Sequence, residues 1–131
     1  MPSNGSETVT ESIRVIVQSR LVPEQSQPAQ NLYFFSYKIT ITNEGSKSVQ
    51  LLSRHWIITD GLGNTEEIQG DGVVGEQPRI LPGASHSYTS FCPLPTFRGT
   101  MEGTYTMQDD SGRVFHINVG RFHLISPESL N

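Results

Sequence analysis

Three glycines between Gln69 and Pro78, in the stretch QGDGVVGEQP, have the spacing of a dinucleotide-binding fingerprint. Gly70, Gly72 and Gly75 form a literal G-x-G-x-x-G. In Rossmann folds this pattern follows a strand and opens a helix, and the N-terminus of that helix binds the pyrophosphate. Here Pro78 and then a Pro-Gly turn at 82–83 follow at once. Because no such helix can form there, the three glycines are poor evidence for a Rossmann-type site.

The same glycines could instead form an anion-binding concavity from successive backbone N–H groups, which needs no helix. The charge around them is mostly negative, because between residues 64 and 80 one base, Arg79, is accompanied by four acids: Glu66, Glu67, Asp71 and Glu76. That balance suits a nucleotide polyphosphate that carries Mg²⁺. In this interpretation Asp71 and Glu76 contact the cation, and Arg79 and Arg54 bind the phosphates. The competing interpretation, which we favour, is that the glycines only shape a loop between strands.

The remaining chemistry-bearing residues do not form a recognisable catalytic set. The histidines, His55, His86, His116 and His123, show neither an H-x-x-x-H nor an H-E-x-x-H spacing, and these spacings are the ones typical of a zinc site on a helix. Cys92 has no evident base beside it, and no G-x-S-x-G elbow marks a nucleophilic serine. The sequence therefore predicts a protein that is not an enzyme.

Composition and charge limit the class of partner. The 131 residues carry a net charge of −4, and their nine Lys and Arg residues are scattered, whereas a nucleic-acid-binding domain usually shows a basic stripe. The one cysteine permits no intrachain disulfide, and no apolar run approaches the roughly 18 residues of a membrane span. The N-terminus lacks the regions of a signal peptide. We expect a cytoplasmic protein that neither binds nucleic acid nor inserts into a membrane.

The elements that must position these residues are predicted to be short strands. The clearest runs from Tyr33 to Ile41 and alternates apolar with polar side chains at period two. Seven to nine such segments, with turn signals between them and no confident helix, predict an all-β fold. Its architecture is expected to be an antiparallel two-sheet β-sandwich of immunoglobulin or fibronectin type III kind. We predict a flexible N-terminus over 1–8, one domain over 9–127 and a tail over 128–131.

One predicted strand, Val49–Ile58, is apolar on both faces. Simple alternation puts Leu52, Trp56 and Ile58 on one face, and Val49, Leu51 and Ile57 on the other. A strand of a two-sheet protein normally needs only one apolar face, so the second face indicates cover by a neighbouring segment, a protein partner or a second copy. The sequence thus predicts an interface at Leu51, His55 and Ile57, and a core anchor at Trp56.

Four segments together resemble the ApaG domain family: LLSRHWIITDGLG, GDGVVGEQPRILPG, YTSFCPL and GTMEGTYTM. The resemblance runs from about Val9 to Pro127 and is to a stand-alone bacterial member. It implies a fibronectin type III-like sandwich, and a protein-interaction role such as the domain has in F-box proteins. It also implies an association with Co²⁺/Mg²⁺ resistance or efflux and with diadenosine polyphosphates. A pyrophosphate site suggested for the family would fall on Gly70, Gly72 and Gly75, with Mg²⁺ or Co²⁺ accompanying the nucleotide.

Overall fold

The computed structural model describes residues 4–127, and within this range the chain is built of β-strands. The nine strands are β1 (Ser6–Thr10), β2 (Ile13–Leu21), β3 (Tyr33–Asn43), β4 (Val49–Asp60), β5 (Thr65–Asp71), β6 (Arg79–Ile80), β7 (Ser85–Leu94), β8 (Arg98–Asp109) and β9 (Val114–Ile125). Two single-turn 3₁₀ helices, Pro23–Gln25 and Pro28–Gln30, interrupt them. The predicted all-β fold with seven to nine strands is confirmed. No helix in this range could span a membrane.

The strands form two antiparallel sheets. One has the order β1-β2-β3-β7, and the other the order β5-β4-β8-β9, with the short β6 also paired to β4. Apolar side chains from both sheets meet in one core, so the two sheets pack face to face as a sandwich. This order is consistent with a fibronectin-like arrangement.

Aromatic side chains on facing strands fill the middle of the core. Trp56 is 3% exposed and contacts Tyr37, Tyr105 and Phe122 edge-on, with ring centroids 5.8 to 6.0 Å apart. Such edge-to-face pairs add about 0.5–1.5 kcal/mol each to the effect of burial. The prediction that Trp56 anchors the core is confirmed.

A bulge in β4 explains why this strand is apolar on both faces. Leu51 pairs with Met107, but Ser53 pairs with Thr106, so Leu52 is an extra residue in β4. An extra residue shifts the alternation by one position, and the side chains before and after it point to opposite faces. The core therefore receives Val49 and Leu51 before the bulge, and Trp56 and Ile58 after it.

The predicted interface is corrected by this bulge. Leu51 is 0% exposed and belongs to the core, so it does not face a partner. His55 and Ile57 lie beyond the bulge on the outer face of the sheet, where both are half-buried. Strict alternation, which ignored the bulge, had put Leu51 on their face.

The N-terminal boundary also differs from the prediction. Ser6–Thr10 form β1, which pairs with β2 through Thr10 and Ile13, so the strand begins inside the predicted flexible segment 1–8. Glu11 and Ser12 make the turn with φ of 48° and 67°, as a two-residue type I′ hairpin requires. Neither residue is the usual Asn or Gly, and the turn therefore carries little sequence signal. Residues 1–3 and the predicted tail, 128–131, lie outside the described residues.

The two sides of the sandwich differ in how their strand edges are covered. On one side, hydroxyls of β1 bond to the backbone of β9: Ser6 donates to Gly120 O (2.8 Å), Thr8 donates to Asn118 O (2.9 Å), and Thr10 accepts from Asn118 N (3.1 Å). On the other side lie β5 and β7, each of which pairs with one strand only. The sandwich is therefore closed along β1 and β9, and open between β5 and β7.

Candidate functional site

The glycine segment after β5 folds into a tight hairpin turn. Val73 and Glu76 exchange two backbone hydrogen bonds, with Val73 N–H donating to Glu76 O (2.7 Å) and Glu76 N–H donating to Val73 O (3.0 Å). Between them Val74 and Gly75 have φ of 47° and 78°, the signs of a type I′ turn. The segment thus connects strands, as in the loop interpretation of the sequence.

Three of the backbone N–H groups that could form an anion-binding concavity already donate hydrogen bonds within the protein. Besides the two bonds between Val73 and Glu76, Gly72 N–H donates to Leu52 O at 2.8 Å. Gly72 has a φ of 64°, and a Cβ there would come within 2.2 Å of Glu76 O. The close approach of Glu76 O therefore requires glycine at position 72, and this requirement involves no ligand.

Arg54 holds the glycine segment to β4. Its guanidinium donates from Nη1 to Asp71 O (3.0 Å) and to Gly72 O (2.9 Å). It also lies directly over Gly70, where an added Cβ would meet Nη1 and Nη2 at 2.9 Å. Gly70 is thus needed for this packing, and Arg54 acts as a structural clamp.

The other predicted ligand residues are engaged elsewhere. Arg79 forms an ion pair with Asp110 at 2.7 Å. Glu76 lies 3.8 Å from His86, whereas Asp71 lines a depression on the outer face of the β4 sheet that does not include Glu76. In the described part of the chain no three His, Cys, Asp or Glu side chains group as a metal site. The structure therefore brings Arg54, Gly70 and Asp71 together in this depression, whereas Arg79 and Glu76 lie apart from it.

The depression that contains Asp71 is polar and holds about 490 Å³. His55, Thr104, Thr106 and His116 line it together with Asp71. His116 Nδ1 bonds to Thr106 Oγ1 at 3.1 Å. His55 Nε2 is buried and has no hydrogen bond within the described residues, although Glu67 Oε2 lies 3.4 Å away. Sequence patterns do not indicate this depression, because its residues come from four different strands.

A pair of tyrosine hydroxyls lies between the sheets beside Arg54. Tyr88 and Tyr105 share a hydrogen bond of 2.5 Å between their hydroxyls, and burial raises the pKa of both. Burial, with a smaller contribution from the charge of Glu66, raises the pKa of the Cys92 thiol to about 12. These groups stay protonated at neutral pH, so none of them is an activated nucleophile.

Apolar side chains are exposed at one end of the sandwich, where three connections meet. Leu62, in the β4–β5 turn, is 78% exposed, and Phe97, between β7 and β8, is 46% exposed. Together with Tyr33, Pro95 and Arg98 they line a groove of about 360 Å³. The Arg98 guanidinium lies 5.9 Å from the centre of the Phe97 ring. We call this surface, made by Tyr33, Leu62, Pro95, Phe97 and Arg98, the apolar end.

A second groove borders the apolar end. It holds about 540 Å³, shares Gly61 and Arg98 with the first groove, and reaches Thr100 and His123 on the sheet. Sequence reasoning did not find either groove, because Leu62 and Phe97 stand in segments that read only as turns. The apolar end and its bordering groove both expose more apolar than polar surface.

Comparison with known proteins agrees with this architecture. A sequence model of the ApaG domain matches residues 23–109. Protein ApaG of Anaeromyxobacter dehalogenans is 48% identical over 96% of this chain and 99% of its own length. Protein ApaG of Methylobacterium nodulans is 53% identical over 90% of this chain and 91% of its own length.

Solved structures show the same fold. An ApaA protein from Bordetella pertussis is 50% identical, and the alignment covers 88% of this chain and 94% of that one, with a TM-score of 0.86. The C-terminal domain of wzt is 8% identical with a TM-score of 0.56 and shows a likeness of fold alone. The ApaG domain model matches this chain, and the two ApaG proteins are about half identical to it along nearly its full length. The chain therefore belongs to the ApaG domain family.

Proposed function

We propose that this ApaG chain is a non-enzymatic module that binds a protein partner in the cytoplasm through its apolar end. The observation that carries the proposal is the pair of exposed apolar side chains, Leu62 and Phe97, around a concave groove. Large apolar groups that share an exposed patch typically mark interaction surfaces. Aromatic residues and Arg are also the residue types enriched at such interfaces, and the apolar end combines Tyr33, Phe97 and Arg98.

A binder of metal–nucleotide polyphosphate is the weaker candidate. The amides of Val73 and Glu76 already donate to each other's carbonyls, and the amide of Gly72 donates to Leu52 O of β4. The cations that would meet phosphates are also engaged, Arg54 by the carbonyls of the same hairpin and Arg79 by Asp110. Binding at this segment would first have to break these contacts. An association with Co²⁺/Mg²⁺ resistance belongs to the proposal of a protein-binding module. The chain would then affect resistance through the protein that it binds.

The non-enzymatic part of the proposal is supported by the protonation states inside the fold. The thiol of Cys92 and the hydroxyls of Tyr88 and Tyr105 lie in or against the core, and burial raises their pKa values. A nucleophile or general base would need its pKa shifted towards neutrality. Burial instead moves the pKa values of Cys92, Tyr88 and Tyr105 further above neutrality.

Site-specific photocrosslinking in cells that naturally express the chain tests the proposal. A photoreactive phenylalanine analogue replaces Phe97 in one variant and Val114 in a control. Val114 is similarly exposed, at 53%, but lies at the start of β9, away from the apolar end. We expect a discrete protein adduct from position 97 alone. Adducts of equal yield from both positions, or from neither, would contradict the proposed surface.

A further inference from the structure

One strand edge of the sandwich lacks the features that normally prevent further pairing. β7 (Ser85–Leu94) lies at the edge of its sheet and pairs only with β3 among the described strands. The strand is ten residues long and contains no Lys, Arg, Asp or Glu. Its one proline, Pro93, stands next to its last residue. A long edge without charges or interior prolines is a template for another strand.

The remaining edges are protected, and this makes β7 distinctive. The hydroxyls of β1 bond to the backbone of β9 and close that side. The free edge of β5 carries three acids in seven residues, Glu66, Glu67 and Asp71, and charge on an edge discourages strand addition. Along the described chain, β7 is thus the edge most open to pairing.

The side of the sandwich next to this edge is acidic. The inner face of β5 presents Glu66, whose charge acts on Cys92 of β7. At the other end, Glu76 lies near His86 of β7. Glu66 makes no ion pair or hydrogen bond within residues 4–127, and Ile68, which is 36% exposed, lies between the two acids on β5 and its hairpin. A strand added to β7 would face an acid, an apolar group and an acid. The Arg54 guanidinium also lies on this side, over Gly70, but it donates to the carbonyls of Asp71 and Gly72.

This charge distribution decides what kind of chain can occupy the edge. A second copy paired antiparallel along β7 would be related by a two-fold axis perpendicular to the sheet. Its β5 would then approach the first β5 in the same layer, and the acids of the two edges would repel each other. A segment carrying Lys or Arg would be attracted by the same acids.

We propose that β7 takes up an extended basic segment of a protein partner as an additional strand. This inference rests on the proposed function, since it gives the chemistry of a partner segment. Main-chain hydrogen bonds to the free edge of β7 supply the affinity, as in other cases of strand addition. Glu66 and Glu76 select positive side chains at the two ends of the segment, and Ile68 selects an apolar one between them.

The spacing of these contacts defines the segment. The charge of Glu66 acts at position 92 of β7, and Glu76 lies 3.8 Å from the His86 side chain, so the two acids act at positions of β7 that are six residues apart. At about 3.3 Å per residue this distance is roughly 20 Å. Because side chains of a strand alternate between faces, residues i and i+6 face the same way. The segment therefore has Lys or Arg at i and i+6 and apolar residues at i+2 or i+4.

Binding of labelled synthetic peptides to the full chain, followed by fluorescence anisotropy, tests the inference. The first peptide, KTVTVTK, has the predicted spacing, and a second, ETVTVTE, reverses its charge. Two further versions of the first peptide carry backbone N-methyl groups on odd or on even residues. We expect binding of KTVTVTK, no binding of ETVTVTE, and loss of binding in only one N-methylated version, because one edge of the added strand pairs with β7. Loss in both or in neither would overturn strand addition.

Variants of the chain locate the contact. Glu66→Gln and Glu76→Gln are each expected to weaken the binding of KTVTVTK by about threefold. This change in affinity is what the loss of one exposed ion pair typically causes. Glu24→Gln, a change at an exposed acid in a 3₁₀ helix away from β7, is the matched control and is expected to have no effect. Equal weakening by all three changes would show non-specific attraction and overturn the assignment. Sedimentation that shows a β7-mediated dimer at the same protein concentration would overturn it as well.

The two experiments distinguish a failure of strand addition at β7 from a failure of the proposed partner surface at the apolar end. If KTVTVTK does not bind but the probe at Phe97 still crosslinks to one protein, the partner surface stands and the basic segment is wrong. If KTVTVTK binds as expected and position 97 gives no adduct, strand addition stands and the apolar end is not the partner surface.

Discussion

Gly72 is the residue whose replacement separates a structural from a ligand-binding role of the glycine segment. Its Cβ would lie 2.2 Å from Glu76 O, whereas a Cβ at Gly75 would meet nothing within 4 Å. Both residues have positive φ, so both alanine variants carry backbone strain of about 1 kcal/mol. We expect Gly72→Ala to lower the free energy of unfolding by about 3 kcal/mol in urea denaturation, because the clash adds to the strain.

The matched variant is Gly75→Ala, for which a loss of about 1 kcal/mol is expected from the strain alone. If the two variants lose equal stability, the close approach of Gly72 to Glu76 does not constrain the hairpin. If neither loses stability, the hairpin itself is wrong.

Buried acidic protons should make the fold sensitive to alkali. The pKa values of Cys92, Tyr37, Tyr88 and Tyr105 are raised mainly by burial. In the unfolded chain these groups lose their protons near pH 9 to 10, while the folded chain retains them. The unfolded state then binds fewer protons, so stability is complete below about pH 9 and falls as the pH rises further.

Urea midpoints at about pH 8 and about pH 10.5 check this prediction. A lower midpoint at the higher pH is expected, together with a Cys92 thiol that reacts with an aromatic disulfide reagent only after unfolding. Rapid reaction of the thiol in the folded protein at the lower pH would contradict the burial of Cys92.

At the scale of elements, Arg54 ties the hairpin after β5 to β4. Arg54→Lys keeps the charge but loses the planar group that reaches both Asp71 O and Gly72 O. We expect a loss of about 1–2 kcal/mol, since hydrogen bonds from charged donors are worth about 1.5–3 kcal/mol and this side chain is partly exposed. Hydrogen exchange at the amides of Gly72, Val73 and Glu76 should become faster.

Arg20→Lys is the control for this change. Arg20 is exposed, and its guanidinium donates one long hydrogen bond, of 3.3 Å, to Leu21 O, so little effect on stability or exchange is expected. An Arg54→Lys variant with unchanged exchange in the hairpin would show that the guanidinium does not hold it.

The closed side of the sandwich makes a second prediction for the elements. Thr8→Val removes the hydroxyl that donates to Asn118 O but keeps a β-branched side chain. We expect a loss of about 0.5–1 kcal/mol and faster hydrogen exchange in β1. Thr89→Val on the open β7 edge should leave exchange in β1 unchanged. Equal protection of β1 in both variants would mean that the hydroxyls do not hold β1 to β9.

The sequence allowed the fold to be predicted where local patterns were regular. Period-two alternation from Tyr33 to Ile41 and the turn at Asp109–Gly112 both match observed strands and turns. Irregular backbone could not be predicted, because the bulge at Leu52 and the positive φ of Ser12 leave no signature in residue type. The candidate site shows the same limit. The glycine segment is predictable as a loop from its residue types. The contact of Arg54 with this loop and the apolar end are not predictable, because both depend on contacts between segments that are distant in sequence.

At the scale of the whole molecule, the surfaces proposed for binding lie next to each other. β7 ends at Leu94, and the chain continues directly through Pro95 into Phe97 of the apolar end. A partner segment lying along β7 would therefore run towards the apolar end. With a net charge of −4, the chain also attracts basic partners at long range. The free edge of β7 and the apolar groove thus adjoin each other where the chain leaves β7.

An amide-resolved NMR titration tests the central claim, that the chain binds protein segments and that its glycine segment is structural. One sample receives a diadenosine polyphosphate with Mg²⁺, and a second receives KTVTVTK. We predict that the amides of Gly70, Gly72 and Gly75 keep their shifts with the nucleotide, while amides of β7 move with the peptide. Saturable shifts of the three glycines with the nucleotide, and an unchanged β7 with the peptide, would contradict the account.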